Sequence, residues 1–174
     1  EQNIQCQSLI LEDPLWLRGQ IASQRLLVGG LDISFSKIDS KRAVAALAVV
    51  EMKSLKLVYT ISQPVQLTTP YIPTFLAYRE VDPFERLYAY VTQHYVNRVP
   101  HILLVDGNGT LHPRGFGCAC LLGCRLNCST IGVAKKLLVT ESDEVNSHFS
   151  VLQIKQSLAN KVSLDPKTLG PRKA

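Results

Sequence analysis

Ala43-Val44-Ala45-Ala46-Leu47-Ala48-Val49-Val50 is apolar on both of its alternating sets, the pattern of an interior β-strand covered on both faces rather than of a strand with one wet side. Helices must then pack on the sheet that contains it. On either side lie two further apolar or alternating runs, 26–35 and 55–63, set off from 43–52 by the polar turns 37–41 and Lys53-Ser54, which predicts three strands in an antiparallel meander. Upstream, Asp13-Pro14 ahead of 15–24 supplies an N-cap and a proline for the first helical position, so an opening helix is expected. Downstream, Asp82-Pro83-Phe84-Glu85 combines a cap, a first-turn proline and a glutamate three residues after the cap, which marks a helix start. Phe84, Leu87, Tyr88, Val91 and Tyr95 then recur at helical spacing as one buried stripe. His101-Ile102-Leu103-Leu104-Val105 reads as a short buried strand ending on Asp106-Gly107-Asn108-Gly109, followed by a helix over 114–123 and a strand over 130–134. Strands alternating with helices pair in parallel. The fold class is therefore α/β, a mixed sheet with an antiparallel meander followed by parallel strands and helices on both faces.

Bulk properties agree. A chain of 174 residues that is 46% hydrophobic fits one domain with a full core. Its mean hydropathy of +0.08 is that of a globular protein. Its longest apolar run is far too short to cross a bilayer, and no basic-apolar-small signal segment opens it, so no membrane association is expected. The formal charge of +5 favours a polyanionic partner without naming one. The five cysteines, Cys6, Cys118, Cys120, Cys124 and Cys128, are an odd number with neither a C-x-x-C pair nor a histidine at ligand spacing, which argues for reduced thiols and against structural zinc. After Thr140 the periodic signal fades. Residues 1–139 are read as the core, and 140–174 as a divergent segment containing a helix and a flexible polar tail.

The chemistry rests on three acids. Asp32 stands amid strand residues, where an unpaired carboxylate is costly to bury. Asp106 ends a second apolar strand, and the glycines after it let a ligand backbone come close. Glu80, just ahead of the expected helix start, can supply a third carboxylate. Each alone has an ordinary reading: Asp32 satisfying a turn, Glu80 paired with Arg79 or a lysine, Asp106 capping a loop. Together they form hard oxygen ligation suited to magnesium or manganese, with phosphate and water completing the shell. On a mixed sheet of this order they resemble the ribonuclease H-like nuclease fold, by analogy.

Six stretches carry a closer resemblance. They are Gly30-Leu31-Asp32-Ile33-Ser34-Phe35, Pro70-Tyr71-Ile72-Pro73, Phe75-Leu76-Ala77-Tyr78-Arg79-Glu80, Val105-Asp106-Gly107-Asn108-Gly109, His112-Pro113-Arg114 and Ile131-Gly132-Val133-Ala134-Lys135-Lys136. In this order they resemble endonuclease V, the family of inosine-recognising nucleases. The resemblance implies that Asp32, Glu80 and Asp106 bind Mg2+, with Mn2+ as a substitute, and that Lys135 and His112 lie near the cleaved backbone. It implies cleavage of the second phosphodiester bond 3′ to inosine, leaving 3′-hydroxyl and 5′-phosphate ends. Pro70-Tyr71-Ile72-Pro73 looks like the family wedge, in which Tyr71, Ile72 and Pro73 replace the stacking lost when a base swings out. Leu76, Gly107, Gly109, Gly117 and Leu138 match a pocket that holds hypoxanthine through backbone groups and apolar contact. Arg114-Gly115-Phe116-Gly117 followed by Ala119-Cys120 resembles the animal branch, which implies single-stranded inosine-containing RNA as substrate, DNA as the alternative, and residence in the cytoplasm and the nucleus or nucleolus.

Thr74 stands where the family usually has glycine, Leu121 where it commonly has histidine, and the resemblance is expected to stop after Leu138. A protein that grips inosine-bearing strands without cutting them is therefore the competing expectation. A junction or replication nuclease of the ribonuclease H-like class is disfavoured, because it would leave the wedge without a reason.

Overall fold

The computed structural model describes residues 9–23, 25–69 and 77–135. The wedge at 70–73, together with Leu76, Leu138 and the helix and tail expected over 140–174, lies outside the described residues. The chain divides into two compact units, Glu1–Lys136 and Leu137–Ala174, and every described residue belongs to the first.

Three strands form the antiparallel meander: β1 (Leu27–Phe35), β2 (Arg42–Glu51) and β3 (Lys56–Gln66). Strand β4 (Ile102–Asp106) joins the free edge of β1 in parallel and β5 (Ser129–Val133) adds in parallel to β4, giving the order β3-β2-β1-β4-β5. The meander and the parallel strands thus form one mixed sheet. Pro64 lies within β3, opposite Val44; it is tolerated there because β3 is an edge strand, where no second neighbour needs the missing N–H.

Helix α1 spans Leu15–Ala22, α2 Ala77–His94 and α3 Cys118–Leu126. Val81, Phe84, Leu87 and Val91 of α2, all fully buried, join Leu121 and Leu122 of α3 against Leu31, Ala45, Leu47, Val49, Leu103 and Val105 of the sheet. The opposite set on β2 is less covered. Val44 is exposed and Ala46, Ala48 and Val50 are half-buried, so the two-sided cover expected for this strand is complete on one face only.

Local boundaries depart from expectation in three places. Asp82-Pro83 does not start α2: the helix is already running at Ala77, and Pro83 sits inside it. An interior proline removes one backbone hydrogen bond and costs about 3 kcal/mol. The buried stripe outweighs that, since each fully buried side chain contributes about 1.5–3 kcal/mol. Asp82 instead accepts from the Arg125 guanidinium of α3 at 2.7 Å, as Glu85 does at 3.1 Å. Asp13 does not cap α1 either. Pro14 is the N-cap residue, no side chain caps the helix, and α1 buries none of its residues. Helix α3 begins at Cys118, not at Arg114, because 107–117 is held in a tight loop by its own backbone bonds.

Candidate active site

Parallel pairing of β1 and β4 ends on Leu31 opposite Val105, so the next residues, Asp32 and Asp106, stand side by side. Strand ends of this kind are where open α/β sheets present their chemistry. Asp32 is near enough to act directly on the Asp106 carboxyl. Asp32 Oδ1 also accepts from the backbone N–H of Ile33 at 2.8 Å. Burial, the hydrogen bond to Asp32 and the Asp32 charge all push the Asp106 carboxyl above its ordinary range, while the Lys135 ammonium pulls it back.

Glu80 arrives from α2. Because the helix starts before Pro83, Glu80 lies in its first turn and is 5% exposed. Burial first, then the charges of Asp106 and Asp32, push its carboxyl up to about 7, with Arg79 acting in the opposite sense. Glu80 and Asp106 are thus both held above the ordinary carboxyl range, with the negative charge of Asp32 acting on each, and the cations around them only partly offset it. The donor set is all oxygen, so a hard divalent cation fits it and would reverse the electrostatic penalty. Among the described residues no three acidic, histidine or cysteine side chains are gathered at metal-holding distances, so the acids form a common electrostatic cluster rather than a finished cage.

The loop after Asp106 is built by close approach. Gly107 has a φ of +132°, a conformation that favours glycine, and its N–H donates to the Val133 carbonyl at 3.1 Å. Gly117 N–H donates to the Gly109 carbonyl at 3.0 Å and Ala119 N–H to the Asn108 carbonyl at 3.1 Å, which ties the loop to the start of α3. A Cβ on Gly117 would meet the Asn108 carbonyl oxygen at 2.1 Å, and one on Gly132 would meet the Gly109 nitrogen at 2.3 Å. Gly107, Gly109 and Gly117 are therefore brought together, and the small size of Gly117 and Gly132 lets the loop pack between α3 and β5. Gly132, on β5, is a residue to which the sequence alone assigns no separate role.

His112 is buried, and its Nδ1 accepts from the backbone N–H of Arg114 at 3.2 Å, closing the turn that leads into Phe116. Lys135 is exposed just past β5, close enough for its charge to act on Asp106. Tyr71, Ile72, Pro73, Leu76 and Leu138 are among the undescribed residues. From the sequence alone, Cys118 is expected only to be a reduced thiol. It is buried beside the acids, and burial, followed by the charges of Glu80 and Asp106, raises its thiol far above the ordinary value, so it is a neutral wall of the site. Its place directly after Gly117, which caps α3, was the available signal.

A family model described as Endonuclease V matches residues 11–165, which carries the match past residue 139. Endonuclease V of Homo sapiens is 46% identical over 132 residues, covering 76% of this chain and 47% of the human protein. Endonuclease V of Mus musculus is 46% identical over the same length, 76% of this chain and 39% of the mouse protein. The chain thus spans about half the length, or less, of these curated relatives. The crystal structure of human ENDOV superposes with a TM-score of 0.74 at 38% identity, covering 89% of this chain and 63% of that one. Endonuclease V of Ciona intestinalis, in complex with a 24mer DNA containing an inosine followed by a ribo-adenosine, superposes with a TM-score of 0.75 at 31% identity, covering 94% of this chain and 65% of that one.

Proposed function

The chain belongs to the endonuclease V family, and from that premise we propose that it is a metal-dependent endonuclease cutting the second phosphodiester bond 3′ to inosine in single-stranded RNA, with inosine-containing DNA as the alternative substrate. The observation that carries the proposal is the placement of Asp32 beside Asp106 at adjoining strand ends, with buried Glu80 raised by both. Such a trio is poorly suited to stability in the absence of a cation and well suited to holding Mg2+, or Mn2+ in its place. When bound, the metal supplies Lewis acidity to the phosphate and a lowered pKa to an attacking water.

The protein's own groups do the rest. Asp32 and Asp106, from two strands, and Glu80, from one helix, are the residues that would hold the cation. Lys135 offsets phosphate charge beside Asp106. His112, fixed by the Arg114 N–H, lies close to the backbone being cut. By the resemblance of their motifs, Tyr71, Ile72 and Pro73 are assigned to replacing the stacking lost by a flipped base, and Leu76, Gly107, Gly109, Gly117 and Leu138 to recognising hypoxanthine. These assignments rest on the motifs that resemble the family's. The RNA preference rests on the animal-like run Arg114-Gly115-Phe116-Gly117, and with it goes residence in the cytoplasm and the nucleus or nucleolus. The deciding experiment is cleavage of an end-labelled RNA carrying one inosine, against the same strand with adenosine or guanosine, with Mg2+ and with chelator. Mg2+-dependent cutting one nucleotide beyond inosine is expected. Selective retention of the inosine strand without cutting would replace this reading with a binding role.

A further inference from the structure

We infer that Arg79 is a positioning residue: it clamps the first turn of α2 to the end of β1 and its following turn, and so sets the spacing between Glu80 and Asp32. The inference rests on reading those two acids as metal ligands.

Beyond Asp32, β1 runs on to Phe35 and the chain turns back into β2. This turn is over-determined. Ser36 N–H donates to the Arg42 carbonyl and Arg42 N–H to the Asp39 carbonyl, each at 2.9 Å, while Ser36 Oγ accepts from the N–H groups of Ile38 and Asp39 at 3.2 Å. The Ser40 carbonyl is consequently a fixed point in space, and Arg79 Nη2 donates to it at 2.5 Å. The same guanidinium lies over the Phe35 ring, 5.4 Å from its centroid. One side chain therefore grips both the strand end that carries Asp32 and the turn beyond it, from the residue next to Glu80.

Without this grip α2 is attached to the sheet mainly through its apolar stripe. Apolar contact is non-directional and sets a face but not a height along the helix. A planar guanidinium with a fixed donor fork is directional and does set it. Stability alone is a poor explanation for an arginine here. Its Nε is buried with no hydrogen-bond partner among the described residues, a desolvation cost that a shorter or apolar side chain would avoid. Direct capture of a phosphate is also disfavoured, because Nη2 and the ring-facing side are already engaged.

The full chain with Arg79→Lys, Phe35→Leu and both changes tests this. Three readouts are needed: Mn2+ affinity by titration calorimetry without nucleic acid, affinity for an inosine-bearing RNA in chelator, and circular dichroism to verify the fold. Arg79→Lys is expected to weaken Mn2+ binding about tenfold, as loss of a group orienting a metal ligand does. Phe35→Leu should weaken it less, and the double variant should be no worse than Arg79→Lys because both changes break one clamp. RNA affinity in chelator should stay within about twofold of the parent, since no strand contact is removed. Unchanged Mn2+ affinity in both single variants overturns the inference, as does a loss confined to RNA affinity. If Arg79→Lys does not fold, Phe35→Leu alone decides on the same criteria. A parent chain that neither binds Mn2+ nor cuts overturns the metal-dependent reading and the clamp together, whereas a parent that binds it as tightly as its variants overturns the clamp alone.

Discussion

The two sides of the candidate site are held by different physics. On one side Asp106 is fixed by backbone: β4 pairs with β1 and β5, Gly107 donates to the Val133 carbonyl, and the loop is wedged between Gly117 and Gly132 with no room for a Cβ at either. On the other side Glu80 is fixed by side chains: a proline-bearing helix seated through buried Val81, Phe84, Leu87 and Val91, one guanidinium reaching Ser40, and an ion pair to α3. Backbone ladders tolerate substitution outside their close approaches. A helix docked by packing can shift when one directional contact is lost. Asp106 and its neighbour Asp32 are thus the rigid reference, and Glu80 is the adjustable member.

The sharpest test of that contrast is removal of an acid. Asp32→Ala is expected to lower cleavage by about 10³-fold or more, the equivalent of several kcal/mol of metal-derived stabilisation, with inosine-strand binding in chelator largely intact. Equal loss of both would show the carboxylate to be structural and erase the distinction. Next comes the rigid side: Gly132→Ala places a Cβ 2.3 Å from the Gly109 nitrogen, which is backbone and cannot give way cheaply. A loss of about 3 kcal/mol in denaturant unfolding is expected. An unaffected midpoint would mean that the loop is as adjustable as the helix.

Glu80 provides a smaller, pH-dependent effect. Its folded carboxyl is raised from 4.5 to about 7, so the folded chain holds a proton that the unfolded chain has released, and across this window stability falls as pH rises. In chelator, Glu80→Gln should match the parent below pH ~4.5 and be more stable by about 3 kcal/mol above pH ~7, read from unfolding curves at the two pH values. A Gln variant less stable than the parent at high pH would show the carboxylate to be favourably placed without metal. Smallest is Arg125→Ala. The guanidinium and its partner Asp82 are both substantially exposed, so a loss of at most about 1 kcal/mol is expected, with cleavage unchanged. A marked fall in cleavage would make the α2–α3 link part of how Glu80 is held.

The order of elements was legible in the chain because it depends on periodicity. The meander, the strand before Asp106 and the stripe Phe84, Leu87, Val91 all follow from alternating or helical spacing. Boundaries were less legible. Asp82-Pro83 carries the local chemistry of a helix start, yet burial of residues on both sides of Pro83 keeps the helix running through it. That shift changed the site, since it moved Glu80 from a preceding loop into a buried first turn. The resemblance assigns Gly117 to a ligand pocket; only the structure shows that its lack of a Cβ also permits close contact with the Asn108 carbonyl, and that Gly132 meets the same loop.

By itself the sequence determined which residue types are present for hard-cation chemistry, and that strands and helices alternate in a mixed sheet, because these depend on composition and local period. Only the tertiary structure decided that Asp32 and Asp106 adjoin, that Glu80 is buried between their fields, and that Arg79 reaches Ser40 and Phe35. The reason is that strand register and helix height are set by contacts between residues far apart in the chain, and no local pattern encodes the distance between them.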